Sequence, residues 1–370
     1  MKGKIFFFAQ FPPPVHGAST VNQYLYQEFI ATDFFDVVRF SFVKNSKNRL
    51  AQRFNRVLKS LSAVFLILRH LRSTRNAVFY MPVSGGQGMV FELAPWLLAG
   101  LLFNTRVMHH HSFKYCHKWS IWMYLIQRFR KKNIHNIFLC ECHRTAFNKQ
   151  YSILATNSSV VDNEMVISNS EQVTLTGPKQ GARDEIVIGH LSNLSVEKGC
   201  LTFFDLVERL AGNSRMKFEL AGPARHPGII DRIEDLTLKF PESFAYRGPL
   251  YGGDKQSWYR NLDFFIFPST YPDETYPLVI SEAIANEVIP LTTPVGCLPE
   301  MNDSTFVLPA EAFNEHAETI ILRALGDPFY LSQIKNDLKK TRQSAILSRQ
   351  GGRDKLIRLF AGFLHPTQTV

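Results

Sequence analysis

At 370 residues, 45% hydrophobic and 20% charged, the chain has the balance of a globular protein of about two domains, which excludes disorder and a coiled coil. It shows no repeat of solenoid period, and its longest apolar stretches, 63–68 and a 90–103 run broken by Glu92 and Pro95, fall short of the ~20 residues of a spanning helix. The net charge of +10 is unevenly spread: residues 1–176 carry 21 basic and 8 acidic side chains and residues 177–370 carry 21 and 24, so the first half alone suits an anionic surface or ligand.

The chain opens on Lys2, Lys4 and an apolar run, 5–9, that ends in Gln10 and a triple proline. The run is too short for a secretion signal and predicts a first strand over 4–11. Five cysteines, an odd number without framework spacing, predict a reducing compartment, and the cytoplasm is the expected location. Further strand-length runs, rich in β-branched and aromatic residues, lie at 35–43, 76–83, 106–111 and 136–141. Between them apolar residues recur at helical spacing over 18–30, 49–71, 89–102, 117–130 and 142–150. Residues 169–184 turn polar and include Gly177 and Pro178, the best linker in the chain. The alternation then restarts, with strands predicted at 185–191, 216–221, 244–247, 263–267, 288–292 and 305–308, and helices at 199–211, 228–240, 253–261, 278–286 and 311–325. Everything after about 328 reads as helical.

Strand, helix, strand at this spacing predicts an α/β protein of two Rossmann-like, doubly wound domains facing across a cleft. The expected organisation is a basic first domain over 1–170, a linker over 171–184, a second domain over 185–345, and a C-terminal helix and tail over 346–370 that returns to brace the first domain.

Open α/β sheets bind ligands at the carboxyl ends of their strands and at helix N-termini. The informative stretch is therefore the loop and helix after the 263–267 strand. Pro277 is expected at the first helical position, where its missing N–H costs nothing, and the N–H groups of that turn form an anion site. Glu274 lies in the loop and Glu282 eight positions later, one turn into the helix. Carboxylates are useless for holding phosphate and well suited to accepting hydrogen bonds from sugar hydroxyls. Taken alone, the pair reads more readily as an ordinary loop acid and a helix-surface acid.

The surroundings change that reading. Pro268-Ser269, Glu274 through Val279, the element 188–199 ending in Glu197-Lys198-Gly199, Leu220 through Pro223, Gly248-Pro249-Leu250, Thr293 through Glu300 and the N-terminal Pro12–Gly17 loop together resemble family 4 of the retaining glycosyltransferases, of the bacterial polysaccharide and lipid-linked glycan type. Those enzymes have the GT-B fold, and the likeness is strongest over 185–303. It implies that 185–345 binds a nucleotide-sugar and that 1–170 faces the acceptor. Lys198 would neutralise the donor phosphates, Glu282 would hold the ribose and Glu274 the transferred sugar. Thr275, Tyr276, Pro277 and Leu278 would form the helix end that meets the donor, with Asn193, Gly222 and Leu250 beside it. Gly17 would let the first-domain loop approach the phosphates. Three departures stand out: Ser192-Asn193 where the family usually has Gly-Arg, Thr275 for a common glycine, and Glu287 for the glycine after the paired-glutamate helix. Arg225 and Lys255 are the nearby cations available to replace the missing arginine.

His109, His110 and His111 end a predicted strand, so the likeness implies a histidine near sugar and acceptor. His111 is the first choice, His110 the second because alternation turns neighbours apart, and His16 is a further acceptor-side residue. Histidines packed at a strand end are the bland alternative. The cysteines and histidines of 109–143 invite a zinc reading, but Cys140-x-Cys142-His143 lacks the usual two-residue gap, and no metal is expected. Two segments mix basic and apolar faces: 49–71, with Arg49, Arg53, Arg56 and Lys59 on one face and Leu50, Phe54, Leu58, Leu61 and Phe65 on another, and 119–132, with Trp119, Trp122, Tyr124 and four cations. Either helix alone reads equally as core-packed or interfacial; both in the basic half point to an anionic membrane.

The expected function is thus a metal-independent retaining glycosyltransferase of hexosyltransferase type. It would move sugar from a nucleotide-sugar to a hydroxyl of a lipid-linked or polysaccharide acceptor, in cell-envelope biosynthesis on the inner membrane face. Its partners would be the nucleotide-sugar, the glycan or lipid-linked acceptor and the anionic membrane, with no nucleic acid; the oligomeric state is open. The alternatives are a nucleotide-sugar epimerase of the same fold and a catalytically inactive sugar- or lipid-binding protein.

Overall fold

The computed structural model describes residues 2–13, 15–42, 49–86, 88–152, 157–167, 185–301 and 306–365. The predicted linker at 171–184 lies outside the described residues. The chain divides into two compact units, Met1–Val166 with Asp273–Tyr276 and Ser348–Val370, and Ile167–Pro272 with Pro277–Leu347.

The first unit is built on a parallel six-stranded sheet of β1 (Gly3–Ala9), β2 (Phe35–Ser41), β3 (Ala77–Tyr80), β4 (Thr105–His109), β5 (Ile134–Phe138) and β6 (Ser158–Val160), in the order β2-β1-β3-β4-β5-β6. Its helices are α1 (Gly17–Ala31), α2 (Arg49–Arg69), α3 (Met89–Leu102), α4 (Lys114–His117), α5 (Ile121–Arg128) and α6 (Glu141–Tyr151). Phe6, Phe7 and Phe8 of β1 are fully buried because helices cover both faces of a parallel sheet, and their rings pack on Phe103, Tyr80 and Phe79. Edge strand β6 is absent from the predicted elements. The predicted helix over 117–130 is instead two, because Ser120 caps a fresh start, its Oγ accepting from the Met123 N–H at 3.4 Å. Cys140 is the N-cap of α6 and Cys142 lies in its first turn, with their sulfurs 3.2 Å apart.

α2 packs on the unit by one side and leaves much of its apolar face uncovered. Ser60, Ala63 and Ile67 are the side it buries, while Phe54, Leu58, Leu61 (60% exposed) and Phe65 (68% exposed) face outward. The side chains of Arg49 and Leu50 lie outside the described residues. α2 packs on α3 and α3 on α5, and Leu101, Ile121, Tyr124 and Leu125 are exposed along those neighbours, as is Trp119.

The second unit has a parallel five-stranded sheet of β7 (Ile186–Leu191), β8 (Met216–Ala221), β9 (Phe244–Tyr246), β10 (Phe264–Phe267) and β11 (Ile289–Thr292), in the order β11-β10-β7-β8-β9. α7 (Cys200–Leu210), α8 (Pro227–Lys239), α9 (Gly252–Arg260), α10 (Leu278–Ala285), α11 (Leu298–Met301) and α12 (Phe313–Gly326) surround it. The strand expected over 305–308 is reduced to an isolated bridge between Thr292 and Val307, with Thr305 outside the described residues. The fold class is the expected one.

A last helix, α13 (Pro328–Leu364), serves both units. Its first part buries Ile334 and Leu338 in the core of the second. From Ser348 it belongs to the first: Phe360 is buried on Phe29, with rings 4.7 Å apart, Arg353 pairs with Glu28, and Ser348 bonds Asp162. This is the returning C-terminal helix.

Candidate functional site

Chain order reverses in the second unit between β7 and β10, so the crevice beyond their carboxyl ends is where a ligand of this sheet belongs. The loop after β7 holds Asn193, exposed, and Lys198, half-buried at the end of a short 3₁₀ turn that Ser195 caps. Gly199 follows at φ +81°, and a Cβ there would meet the Pro268 carbonyl oxygen at 2.3 Å. Glycine is therefore required for the loops after β7 and β10 to touch. They are stitched by Thr270 N–H and Ser269 Oγ donating to the Glu197 carbonyl at 2.9 and 3.3 Å. The Lys198 ammonium lies over the Tyr271 ring, 4.7 Å from its centroid. Gly222, at φ +119°, is packed so closely on the Ser192 carbonyl that a side chain is excluded, so this glycine is needed by the fold itself. Leu250 is half-buried against the core.

Leu278 opens α10 and Pro277 is its cap, one position earlier in the helix frame than expected. Glu282 is already engaged: Lys255 Nζ donates to one carboxylate oxygen at 2.5 Å and Tyr259 Oη to the other at 3.3 Å. Each oxygen keeps a lone pair for a further donor. Lys255 is thereby committed to Glu282. Arg225 is exposed beside Ala224, whose bridge to Leu194 brings it next to Asn193. Of the two candidate replacements for the missing arginine, Arg225 is the one adjacent to the vacated position.

The segment 273–276 belongs to the first unit. Thr275 Oγ1 donates to the His111 carbonyl at 3.0 Å and Tyr276 Oη to Glu164 at 2.9 Å, while Glu274 is buried between them in sequence. The first sheet's own reversal, between β1 and β3, opens a pocket of about 230 Å³ lined by Gln10, Asn22, Ser84, Glu92, His111 and Ser112. His111, not His110, reaches it. His110 is wholly buried, its two ring nitrogens bonded to Tyr115 Oη and Asn136 Oδ1 at 2.9 Å and its ring stacked on Phe138. It is a satisfied core histidine, which corrects its acceptor-side assignment. His16 caps α1, its Nδ1 accepting from Ser19 N–H at 3.2 Å, so one ring nitrogen is spent on the helix. A Cβ at Gly17 would meet nothing within 4 Å; the fold itself does not demand glycine there.

Burial keeps the histidines neutral: it holds His111 down at about 3 and His110 at about 4, and His109 well below its usual value, with neighbouring histidines adding to the shifts of His109 and His111. Glu92 is a site residue that sequence reasoning passed over. It is 6% exposed, accepts from Ser84 N–H and Oγ at 2.8 and 2.5 Å, and is pushed above the usual carboxyl range by burial, against those bonds and Arg56. The available signal was a lone acid inside the apolar 90–103 run.

Residues 185–325 match the family model described as Glycosyl transferases group 1. No curated protein sequence matches the chain. Among solved structures it is similar to Anabaena Alr3699/HepE, solved in complex with UDP (16% identity, 97% of this chain and 100% of that one, TM-score 0.67). It is also similar to the sucrose-phosphate synthase of Thermosynechococcus elongatus (15% identity, 98% and 100%, TM-score 0.67) and to a glycosyltransferase from Rickettsia africae (14% identity, 100% of both, TM-score 0.63). At such identities the likeness carries the fold. The family match thus covers the part of the chain that builds the second sheet, and the two parallel sheets have the two-domain α/β fold of these solved structures.

Proposed function

We propose that the protein is a family 4 retaining glycosyltransferase that transfers a hexose from a nucleotide-sugar to a hydroxyl of a lipid-linked or polysaccharide acceptor. The observation that carries this reading is Lys198 at the switch point of a parallel sheet inside a domain that matches the group 1 glycosyl transferases. Lys198, assisted by Arg225, would stabilise the departing diphosphate, the largest developing charge in the step. Glu282, charge-balanced by Lys255, would accept from the ribose hydroxyls, and Glu274 from those of the sugar. The backbone of Thr275 through Leu278 and of Asn193, Gly222 and Leu250 would frame the donor, and Gly17 would leave room for its phosphates.

In this reading the bond from the anomeric carbon to phosphate breaks as the acceptor oxygen bonds the same face. The acceptor proton passes to the departing phosphate oxygen, and His111, neutral, orients the acceptor. No metal is assigned to the step because Lys198 and Arg225 supply the positive charge. The outward face of α2, α3 and α5, apolar with Arg53 and Arg56 exposed among its residues, would rest on an anionic bilayer at the cytoplasmic side, bringing a lipid-linked acceptor to the pocket. Among the described residues no helix is long and apolar enough to cross a membrane.

The test is a panel of nucleotide-sugars, UDP-glucose first because the Anabaena neighbour has been solved with it. Free nucleotide should appear only when membrane lipid or glycan extract is added. Epimerised sugar without acceptor would install the epimerase instead, and tight binding without turnover the inactive binder.

A further inference from the structure

Glu287 occupies a position with φ +60°, a left-handed conformation that glycine adopts freely and a glutamate does not. Its side chain is held: Oε1 lies 3.3 Å from Arg342 Nη1 on α13. The pair forms one wall of a pocket of about 400 Å³ in the second unit, whose polar lining includes Glu287, Ser332, Lys335, Asn336, Lys339 and Arg342. Lys335, Lys339 and Arg342 follow one another at intervals of four and three, so one face of α13 presents all three. Three cations thus meet one carboxylate. Among the described residues Lys335 and Lys339 make no ion pair, and the Arg342 Nε–H is buried without a hydrogen-bond partner. An arginine with one donor edge satisfied and a second donor buried and idle, beside two unpaired lysines, is a built receptor short of an anion.

We propose that this pocket binds a phosphate-class dianion, at a site separate from the carboxyl ends of β7 and β10, and that Glu287 is its internal competitor. Without ligand the Glu287 carboxylate takes the Arg342 guanidinium. A phosphate group, carrying more charge and three acceptor oxygens, takes Nε and Nη1 together while the lysines hold its remaining oxygens. The strained backbone at 287 then serves to place a carboxylate where the anion will go.

The experiment is calorimetric titration of the full chain with inorganic phosphate at constant ionic strength, in a Lys198→Ala background that removes phosphate binding at the donor crevice. One phosphate site should persist there. Lys335→Gln with Lys339→Gln should weaken it about tenfold, and Glu287→Gln should strengthen it by about threefold to tenfold, since the rival charge is gone. Opposite signs at neighbouring positions of one pocket are not what a loss of folding produces, and thermal melting of each variant checks the fold. Absence of any site in Lys198→Ala, indifference to the lysine pair, or weaker binding in Glu287→Gln overturns the proposal. Phosphatidic acid vesicles form a parallel arm: sedimentation that tracks the same variants assigns the anion to a lipid headgroup, and sedimentation indifferent to them assigns it to a free phosphate. Neither arm depends on the transfer reaction, so its failure and that of the glycosyltransferase reading are distinct.

Discussion

Each unit folds a parallel sheet whose chain order reverses beside its first strand, β1 against β3 and β7 against β10, yet the two crevices are lined with opposite chemistry. Beyond β7 and β10 stand a half-buried lysine, an exposed arginine and a lysine-paired glutamate, all charged and reachable. Beyond β1 and β3 stand His111, kept neutral by burial, Ser84 and a glutamate that burial biases toward its protonated form. The contrast matches the proposed function, in which the second crevice would meet developing charge and the first would hold and orient an uncharged hydroxyl. The outer surfaces differ as well, since the first unit exposes Phe54, Leu61 and Phe65 along one helix.

The comparison breaks most sharply at Lys198. If the second crevice carries the departing charge, Lys198→Ala should lower turnover by about 10²–10³-fold with little change in thermal stability, because the side chain is half-exposed and supports no core packing. A steady-state assay showing wild-type turnover would remove charge stabilisation from this crevice. Glu282→Ala comes next. Loss of a charge-assisted hydrogen bond should weaken nucleotide binding by about 1.5–3 kcal/mol, and Lys255, left without its partner, should add to the loss. Calorimetry with the free nucleotide measures it, and unchanged affinity would refute the ribose assignment.

Acid should separate the units next. His110 and His111 are held at about 4 and 3 in the fold against 6.5 in the unfolded chain, so between these values the unfolded state binds protons that the native state does not. Stability is intact above 6.5 and is lost as pH falls, by about 2 kcal/mol for each of the two at pH 5. His109 and His143 act in the same sense in the same unit, whereas the second unit has His190, also held at about 4, its Nδ1–H donating to the Ile266 carbonyl at 2.8 Å and its Nε2 accepting from Ser192 Oγ at 3.0 Å. Glu92 and Asp162, raised by burial, oppose the trend, since each gains a proton in the native state first. The histidines outnumber them. Hydrogen exchange at pH 7 and pH 5 should therefore show protection lost first in the first sheet, and His111→Asn should reduce that difference. Equal loss in both sheets would show that the histidine cluster is not the acid-labile element.

How far the units were legible differs for physical reasons. Strands buried on both faces read as continuous apolar runs, so both sheets were visible, while β6, made of Ser158, Ser159 and Val160, offers no apolar run. The second crevice was legible because Lys198 and Glu282 lie within motifs of contiguous residues. The first was not: Glu92 meets Ser84 across a turn, and His110 is satisfied by Tyr115 and by Asn136, 26 residues away. Alternation separates His110 from His111 but cannot say which side holds the partners. The paired faces of α2 were visible in sequence, yet which face is covered depends on where Ser60, Ala63 and Ile67 meet the rest of the unit. Lys255 was likewise visible as a cation, but its commitment to Glu282 spans 27 residues and two helices.

The smallest expected effect tests the outer surface. If α2 rests on an anionic bilayer, Arg53, exposed and free of ion pairs among the described residues, contributes about 1 kcal/mol of attraction, so Arg53→Gln should weaken binding to anionic vesicles roughly fivefold. Screening sets the control: the difference between wild type and variant should shrink as salt rises from 0.05 to 0.5 M, on the order of a threefold contraction of the Debye length. Phe65→Ser, removing an exposed ring from the same face, should weaken binding at both salt concentrations, because apolar insertion is not screened. Nucleotide affinity should be untouched by either substitution, since both residues lie in the first unit, and Lys198 and Glu282, proposed to bind the donor, lie in the second. Vesicle sedimentation that ignores Arg53→Gln and Phe65→Ser alike would make this face a solvated surface, and the first unit would then owe its positive charge to some other anion.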